Sequence, residues 1–584
     1  MAKRIFLVVS CIAFLCGIAM AQDAKTVIAD AQKALGDVKS ITFSGSGKDV
    51  SFQQCGANST DQICKGTHNP MRPINSYVRV IDLTTPASRA VGTTMNVVGG
   101  GGSTTIGPGN FSQQITQVDV AGAWGAQANN QVEFWITPWG FLKGAAANNA
   151  SASKQKVDGK NYTVLSWSPT AKAPSGKNYT VNGYVNDKNI VDRVETWLPD
   201  NIMGDMHVLA IYSGWKDFGG VMAPAKIVET RGGWPFFEFT ITAAKANPPD
   251  LTTLALPPPP AAGAAGGRGG AGAPAGGAPP AAAGPGGRGG AGAPAGAVPA
   301  AAGAGRGGQG VPPLPAGGQA AAGAGRGGAP AGAPPAAGGQ GGRGGGAPAA
   351  PALTVTTEKL GNGVYRLTTG NGSYDSVVVE FKDYVMMLEA GQSIARGVAY
   401  IAETKKLFPN KPIRYVFNTH PHADHTGGLP ALVAEGATIL TSRNNEEFLE
   451  KALNTPRTLL DPMNDPLAKT PRPAVVEGMG DKKVFADEIG RVEFYSVPGA
   501  PHSNGLMIAY LPKEKVLFQG DFSLPTMPGE VANDHVKALG PVLAKLNLDY
   551  NRYINVHTSA APQTKAEVEK AIEDRKKADA TAKK

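Results

Sequence analysis

The chain has 584 residues and a formal charge of +9, but Lys3 and Arg4 stand in the first four residues and Arg268, Arg288, Arg306, Arg326 and Arg343 in a stretch without acidic residues. The remainder is close to neutral, and no aromatic residue interleaves those arginines to stack on bases, so no nucleic-acid partner is expected. After the first 21 residues no stretch approaches the roughly 20 apolar residues that a transmembrane helix requires, which excludes a helical membrane protein.

Residues 1–21 open with Lys3 and Arg4, continue through the apolar run from Ile5 to Ile18 and end in Ala19-Met20-Ala21. That is the pattern of a secretory signal peptide cleaved before Gln22, so the chain is expected to be exported, periplasmic or secreted. Cys16 follows Leu15 where a lipid-attachment signal wants a small residue, and is read as part of the discarded peptide. Cys55 and Cys64 are then the cysteines of the mature chain, in a compartment where thiols oxidise. A local disulfide worth about 2 to 3 kcal/mol is the economical expectation; a Cys55/Cys64/His68 metal site is the alternative.

Residues 22–256 form the first expected domain. A helix carrying Val27, Ile28, Ala31 and Leu35 on one face leads into strand-like runs, "SYVRVIDL", "VEFWITPW", "YTVLSWS", "MHVLAIYSGW" and "FFEFTITAA", separated by Gly, Asn and Pro turns. The progression "NYTVNGYVNDKNIVDRVETWL", "YSGWKDFGGVMAPAKIVET", "FTITAAKANPPDL" resembles the half-barrel of outer-membrane lipoprotein carriers and related periplasmic lipid-binding domains. That resemblance implies a helix plus a curved antiparallel sheet, with a lipid or envelope component as partner.

Residues 257–352 are almost wholly Gly, Ala and Pro with the five arginines, and cannot bury apolar surface. A flexible coil of that length would hold its ends on the order of 50 Å apart. The flanking domains are therefore expected to move independently.

Residues 353–584 alternate strand-like runs ("GVYRLTT", "SVVVEF", "YVMMLEA", "IRYVFN", "ATILTS", "RVEFYSV", "LMIAYLP", "KVLFQGD") with helical patterns near 394–407, 427–434, 443–454, 534–546 and 563–578. The whole chain is thus a multidomain α+β and α/β protein. Between "IRYVFN" and the helical "GGLPALVAEG" lies "NTHPHADHTGG", which places three of the chain's eight histidines on one strand-to-helix turn, where side chains reach the rim of an α/β sheet. His420 and His422, two apart, point the same way from extended backbone, and Asp424 and His425 follow as the chain curls. Downstream, His502, Asp521 and His557 each end or follow an apolar strand, so all seven side chains can converge on one sheet edge.

His-x-His-x-Asp-His followed by a His, an Asp and a His at later strand ends resembles the metallo-β-lactamase superfamily. The resemblance implies an αββα sandwich with a metal site at one edge. It gives His420, His422 and His502 to one ion, Asp424, His425 and His557 to another, and Asp521 to both. The cofactors are then two divalent ions, zinc by preference, with iron or manganese also suited to nitrogen and carboxylate donors. Ions about 3.5 to 4 Å apart share a water and lower its pKa towards about 7. Asp424 and Asp521 are the catalytic candidates, orienting the hydroxide and passing a proton to the leaving group.

Three departures concern the loops. Glu389 stands where the family usually has Asp, two extra residues separate Gly499 from His502, and Thr558 replaces the usual Gly after the last histidine. His535 is read as a surface helix position. The expected function is that of a metal-dependent hydrolase acting on a small-molecule ester, thioester, lactone, amide or phosphoester. The alternatives are an iron-dependent redox enzyme of the same fold and a non-enzymatic envelope lipid-binding protein.

Overall fold

A computed structural model describes residues 24–49, 72–95, 112–118, 131–251, 353–369, 374–500, 502–503, 505–526, 529–557 and 561–582. Residues 1–21, read from the sequence as a signal peptide, Cys55, Cys64 and the segment 257–352 lie outside the described residues. No helix among them is long and apolar enough to cross a membrane.

The N-terminal region opens with helix α1 (residues 24–35), whose Ile28, Ala31 and Leu35 are buried as the apolar spacing predicts. The strands that follow are β1 (Ser40–Asp49), β2 (Arg72–Asp82), β3 (Ala87–Met95), β4 (Ser112–Val118), β5 (Ser151–Val157), β6 (Lys160–Trp167), β7 (Val181–Val185), β8 (Val191–Asp200) and β9 (Gly204–Ser213). A short ribbon of β10 (Lys216–Asp217) and β11 (Met222–Ala223) precedes β12 (Lys226–Arg231) and β13 (Trp234–Ala246). Eleven strands make one antiparallel sheet in the order β4-β3-β2-β1-β13-β12-β9-β8-β7-β6-β5. Along β9, Met206, Val208, Ala210 and Tyr212 are buried while their neighbours are partly exposed, so one face of the sheet carries the core.

The run "VEFWITPW" is not a strand. Val132–Trp135 forms a helical turn, and helix α2 (Pro138–Ala147) starts at Pro138 behind Thr137, whose hydroxyl accepts from the Gly140 amide at 3.1 Å. Thr-Pro at this position is an N-cap followed by proline in the first turn, a helix-start signal that outweighs β-propensity. Buried charges pin this turn to the sheet. Arg79 Nη2 donates to the Glu133 carbonyl at 2.7 Å, Arg231 Nε donates to Glu229 at 3.0 Å, and Arg231 also pairs with the Glu133 carboxylate.

In the C-terminal region β14 (Val355–Gly361), β15 (Val364–Thr369), β16 (Ser376–Glu380), β17 (Val385–Leu388), β18 (Ile413–Phe417), β19 (Thr438–Ser442) and β20 (Val476–Met479) form a seven-stranded sheet in chain order. It is antiparallel up to β17 and parallel from there. A five-stranded sheet follows, of β21 (Lys482–Ala486), β22 (Arg491–Ser496), β23 (Met507–Leu511), β24 (Val516–Gln519) and β25 (Arg552–Asn555). Val377, Val379, Leu388, Phe417 and Leu440 of the first sheet share one apolar core with Val492, Phe494, Ala509, Phe518 and Ile554 of the second. Alternate residues of the first sheet, Val378, Met387, Val416 and Ile439, pack with helices α3 (Ile394–Leu407), α4 (Leu429–Glu435) and α5 (Arg443–Leu453). Those of the second, Ile508, Leu517 and Tyr553, pack with α6 (Asp534–Leu546) and α7 (Lys565–Ala582). Burial of both faces explains why these strands read as unbroken apolar runs.

The expectation that the two regions move independently is not met: they form one compact unit with a continuous apolar core. The chain after α5 folds onto the β8–β9 hairpin. Asp205 accepts from the amides of Thr458 and Leu459 at 2.9 and 2.8 Å, and its own amide donates to the Pro456 carbonyl at 2.6 Å. Arg457 Nη2 donates to the Asn201 carbonyl at 2.7 Å and to Asp465 at 2.6 Å. Trp234 packs on Phe448 with ring centroids 6.2 Å apart. Gly204, at φ +62, passes so close that a Cβ there would lie 2.4 Å from the Pro456 oxygen. The composition of the segment between the regions carries no information about a seam made by loops elsewhere.

Arg457 and Asp465 are both almost fully buried at this seam. Arg457→Ala strands the Asp465 carboxylate and should lower the unfolding free energy by about 3 to 5 kcal/mol. Urea denaturation followed by tryptophan fluorescence reads this directly; an unchanged midpoint would show that the pair contributes little to the seam.

Candidate metal centre

The parallel strands β17 and β18 deliver the site at their C-terminal ends. After β18 the chain bends at Thr419 and His420, is extended at His422 (φ −64, ψ 151), then turns into the short helix Ala423–Thr426 that carries Asp424 and His425. His502 lies in the connection between β22 and β23, Asp521 follows β24, and His557 follows β25. The structure brings all seven predicted residues together in two groups, one of His420, His422, His502 and Asp521 and one of Asp424, His425 and His557. Within each group the candidate donor atoms lie within 4.8 Å of one another.

Asp521 joins the groups. Its Oδ2 is 2.5 Å from His502 Nε2 and 3.5 Å from His420 Nε2, while Oδ1 is 2.5 Å from His557 Nε2 and 3.0 Å from His425 Nε2. Asp424 Oδ2 stands 3.7 Å from both His425 Nε2 and His557 Nε2. Imidazole nitrogens also face each other, His502 to His420 at 3.0 Å and His425 to His557 at 3.1 Å. His422 Nε2 and Asp424 Oδ1 are buried without a hydrogen-bond partner among the described residues. Buried polar atoms without partners are costly, and nitrogen and carboxylate donors converging on the same space fit divalent ions.

The charges are coupled accordingly. Burial, reinforced by the neighbouring histidines, pushes His420 and His422 well below the ordinary histidine range, so both offer lone pairs at neutral pH. Burial also opposes charge on His425, but the carboxylates of Asp521, Asp424 and Glu389 outweigh it and raise that ring. Asp521 is buried too, yet His557, His502, His425 and His420 hold it well below the usual carboxylate range.

Glu389, the departure from the family's usual Asp, still supports the turn. It is fully buried at φ +67; its Oε1 accepts from the Thr419 amide at 2.7 Å and its Oε2 lies 3.5 Å from His425 Nδ1. The longer side chain thus reaches both the backbone before His420 and the far side of the His425 ring. Asn418 donates to the His425 carbonyl at 3.2 Å and closes the turn. Gly427 and Gly428 let it press against the preceding loop: a Cβ on Gly428 would stand 2.0 Å from the Ala390 oxygen.

One residue placed on the surface by the sequence is buried instead. His535, in the first turn of α6, has no exposed area; its ring centroid lies 4.7 Å from that of His502 and its Nδ1 3.4 Å from the Asp521 carbonyl. Helical periodicity identifies the face a residue occupies, and the first turn of α6 is covered by the loop that carries His502. Tyr374, which sequence reasoning missed, stands at φ +63 with its ring centroid 5.1 Å from that of His557. Its position before β16 carries no motif that could have singled it out.

Residues 369–557 match the family model described as the metallo-beta-lactamase superfamily. A curated relative, the 2,4-dinitroanisole O-demethylase subunit alpha of Nocardioides sp. (strain JS1661), is 24% identical over 176 residues. That match covers 30% of this chain and 48% of the relative, so the chain spans about half of the relative's length. Among solved structures, DIM-1 metallo-beta-lactamase is 16% identical, covering 39% of this chain and 99% of its own, with a TM-score of 0.30. The metallo-beta-lactamase from Pontibacter korlensis is 15% identical over 38% of this chain and 99% of its own, with a TM-score of 0.29. The family match begins at the end of β15 and ends at His557, and so encloses all seven converging residues. The C-terminal region of this chain is a domain of the metallo-β-lactamase superfamily.

Proposed function

We propose that the C-terminal domain is a binuclear metal-dependent hydrolase, built as a four-layer αββα sandwich and acting outside the cytoplasm. The observation that carries this reading is the division of the Asp521 carboxylate, one oxygen toward each histidine group. His420, His422 and His502 would hold one ion and Asp424, His425 and His557 the other, with Asp521 shared. When bound, divalent ions supply Lewis acidity, acidifying a water and polarising the substrate oxygen.

The chain's own residues supply the rest. Asp424 has one carboxylate oxygen near His425 and His557 and the other without a hydrogen-bond partner among the described residues, which suits it to accept a proton from a water and return it to the leaving group. Glu389 holds the Thr419 backbone and stands against the His425 ring, which orients these donors. Zinc is the favoured ion. The substrate is a small molecule with an ester, thioester, lactone, amide or phosphoester bond, and the relative named for O-demethylation adds a methyl ether to the bonds worth testing.

For the N-terminal region we propose a half-barrel whose partner is a lipid or envelope component. Residues of α1 and α2, among them Leu35, Trp139 and Phe141, belong to the core that covers the sheet, so these helices would have to move to admit an acyl chain. Mass spectrometry of lipid extracted from the purified, exported protein tests this; the absence of any co-purifying lipid would count against it.

Wild-type protein should bind two ions per chain, measured by elemental analysis after purification without added metal. His557→Ala should retain about one, and Asp521→Ala should weaken both and lower activity by more than about 100-fold. Equal loss of both ions in His557→Ala would contradict the division into two groups. A panel of ester, thioester, lactone, amide, phosphodiester and methyl ether substrates should show turnover that a chelator abolishes. Stoichiometric iron with no hydrolysis of any of them would overturn the hydrolase reading in favour of redox chemistry.

A further inference from the structure

His535 is polar, wholly buried and absent from both groups of converging donors, yet it stands against two of their members. Asn533 caps α6, its Oδ1 accepting from the Val536 amide at 3.1 Å, and the cap fixes where the first turn begins. That turn directs the His535 ring inward rather than to solvent. Val536 and Leu539, on the same helix, anchor it in the core between α6, α7 and the five-stranded sheet.

The two residues that His535 touches both lie outside the strands. His502 stands between β22 and β23, with Gly499 at φ +73 three residues before it. Asp521 follows the end of β24, where the turn is closed by the Phe522 amide donating to Gln519 Oε1 at 2.8 Å. The His535 ring packs against His502 at 52° between ring planes, and its Nδ1 faces the Asp521 carbonyl at 3.4 Å. If Nδ1 carries the hydrogen it donates to that carbonyl, and Nε2, buried without a hydrogen-bond partner, becomes the bare nitrogen.

We infer that His535 is a positioning residue: its ring braces His502 and its Nδ1–H holds the Asp521 backbone, so that the pair face a cation at the His420/His422/His502 group. This rests on the metal-site reading above. It does not depend on the reaction being hydrolysis, because the quantity it affects is ion affinity.

The test is titration of the metal-free full-length chain with Zn2+ against a chromophoric chelator, with urea denaturation of the metal-free protein alongside. His535→Ala removes both contacts and should weaken one of two Zn2+ affinities by on the order of ten-fold or more and the other markedly less, with metal-free stability near wild type. His535→Phe keeps the ring and removes the donor, and should fall between the two. Should the alanine variant fail to fold, the phenylalanine variant alone decides. Wild-type affinity for both ions in the folded variants would overturn the inference, as would equal weakening of both sites together with a fall in metal-free stability, the signature of an ordinary core residue. Fewer than two ions in the wild type would contradict the binuclear reading instead, and the effect of His535→Ala on the remaining affinity would still decide this one.

Discussion

The carboxylate of Asp521 is the constraint on which the C-terminal site turns. A single side chain, little exposed, has one oxygen 2.5 Å from a histidine of each group. The imidazoles that surround it hold it as an anion, while burial disfavours protonation of His420 and His422 and the carboxylates raise His425. The donors are crowded, and two of their atoms, His422 Nε2 and Asp424 Oδ1, lack a hydrogen-bond partner among the described residues.

That crowding has to be held open by the scaffold. Buried parallel strands end at one edge, and each delivers a donor or a donor's support: Glu389 after β17, the histidine turn after β18, Asn445 after β19. Polar side chains then tie the turns together. Asn418 holds the His425 carbonyl, and Asn445 Nδ2 donates to Thr441 at 3.2 Å and to the Gly505 carbonyl at 3.0 Å. These bonds lie in a low-dielectric interior where a missing partner is expensive, so the turns have little freedom to relax.

Much of this was legible in the sequence because the donors carry their own spacing. His420 to His425 sit on one turn, and His502, Asp521 and His557 each follow an apolar strand, so register alone brings them to one edge. What was not legible depended on contacts between distant segments. Glu389 could be marked as a departure, but that its added methylene reaches both Thr419 and His425 is a matter of packing. His535 sits on a helix that was correctly expected, yet its burial is decided by the loop that covers it. "VEFWITPW" misled because a short apolar run fits a strand and a buried helix equally, and the Thr137-Pro138 start signal within it was the residue-level clue.

The seam between the two regions and the metal site meet different ends of the same helix. β18 and β19 run parallel toward the site, and α5 returns from Ser442 in the opposite sense, so its last turn lies toward the other edge of the sheet. At its first turn Asn445 holds the Gly505 carbonyl, three residues from His502. Further along, Phe448 packs on Trp234, and Lys451 Nζ stands 4.5 Å from the Trp234 ring. Eleven residues of α-helix span about 16 Å, and a helix this short, packed on β19 and β20, moves as a rod. α5 thus touches the N-terminal sheet through Phe448 and Lys451 and the loop that follows His502 through Asn445.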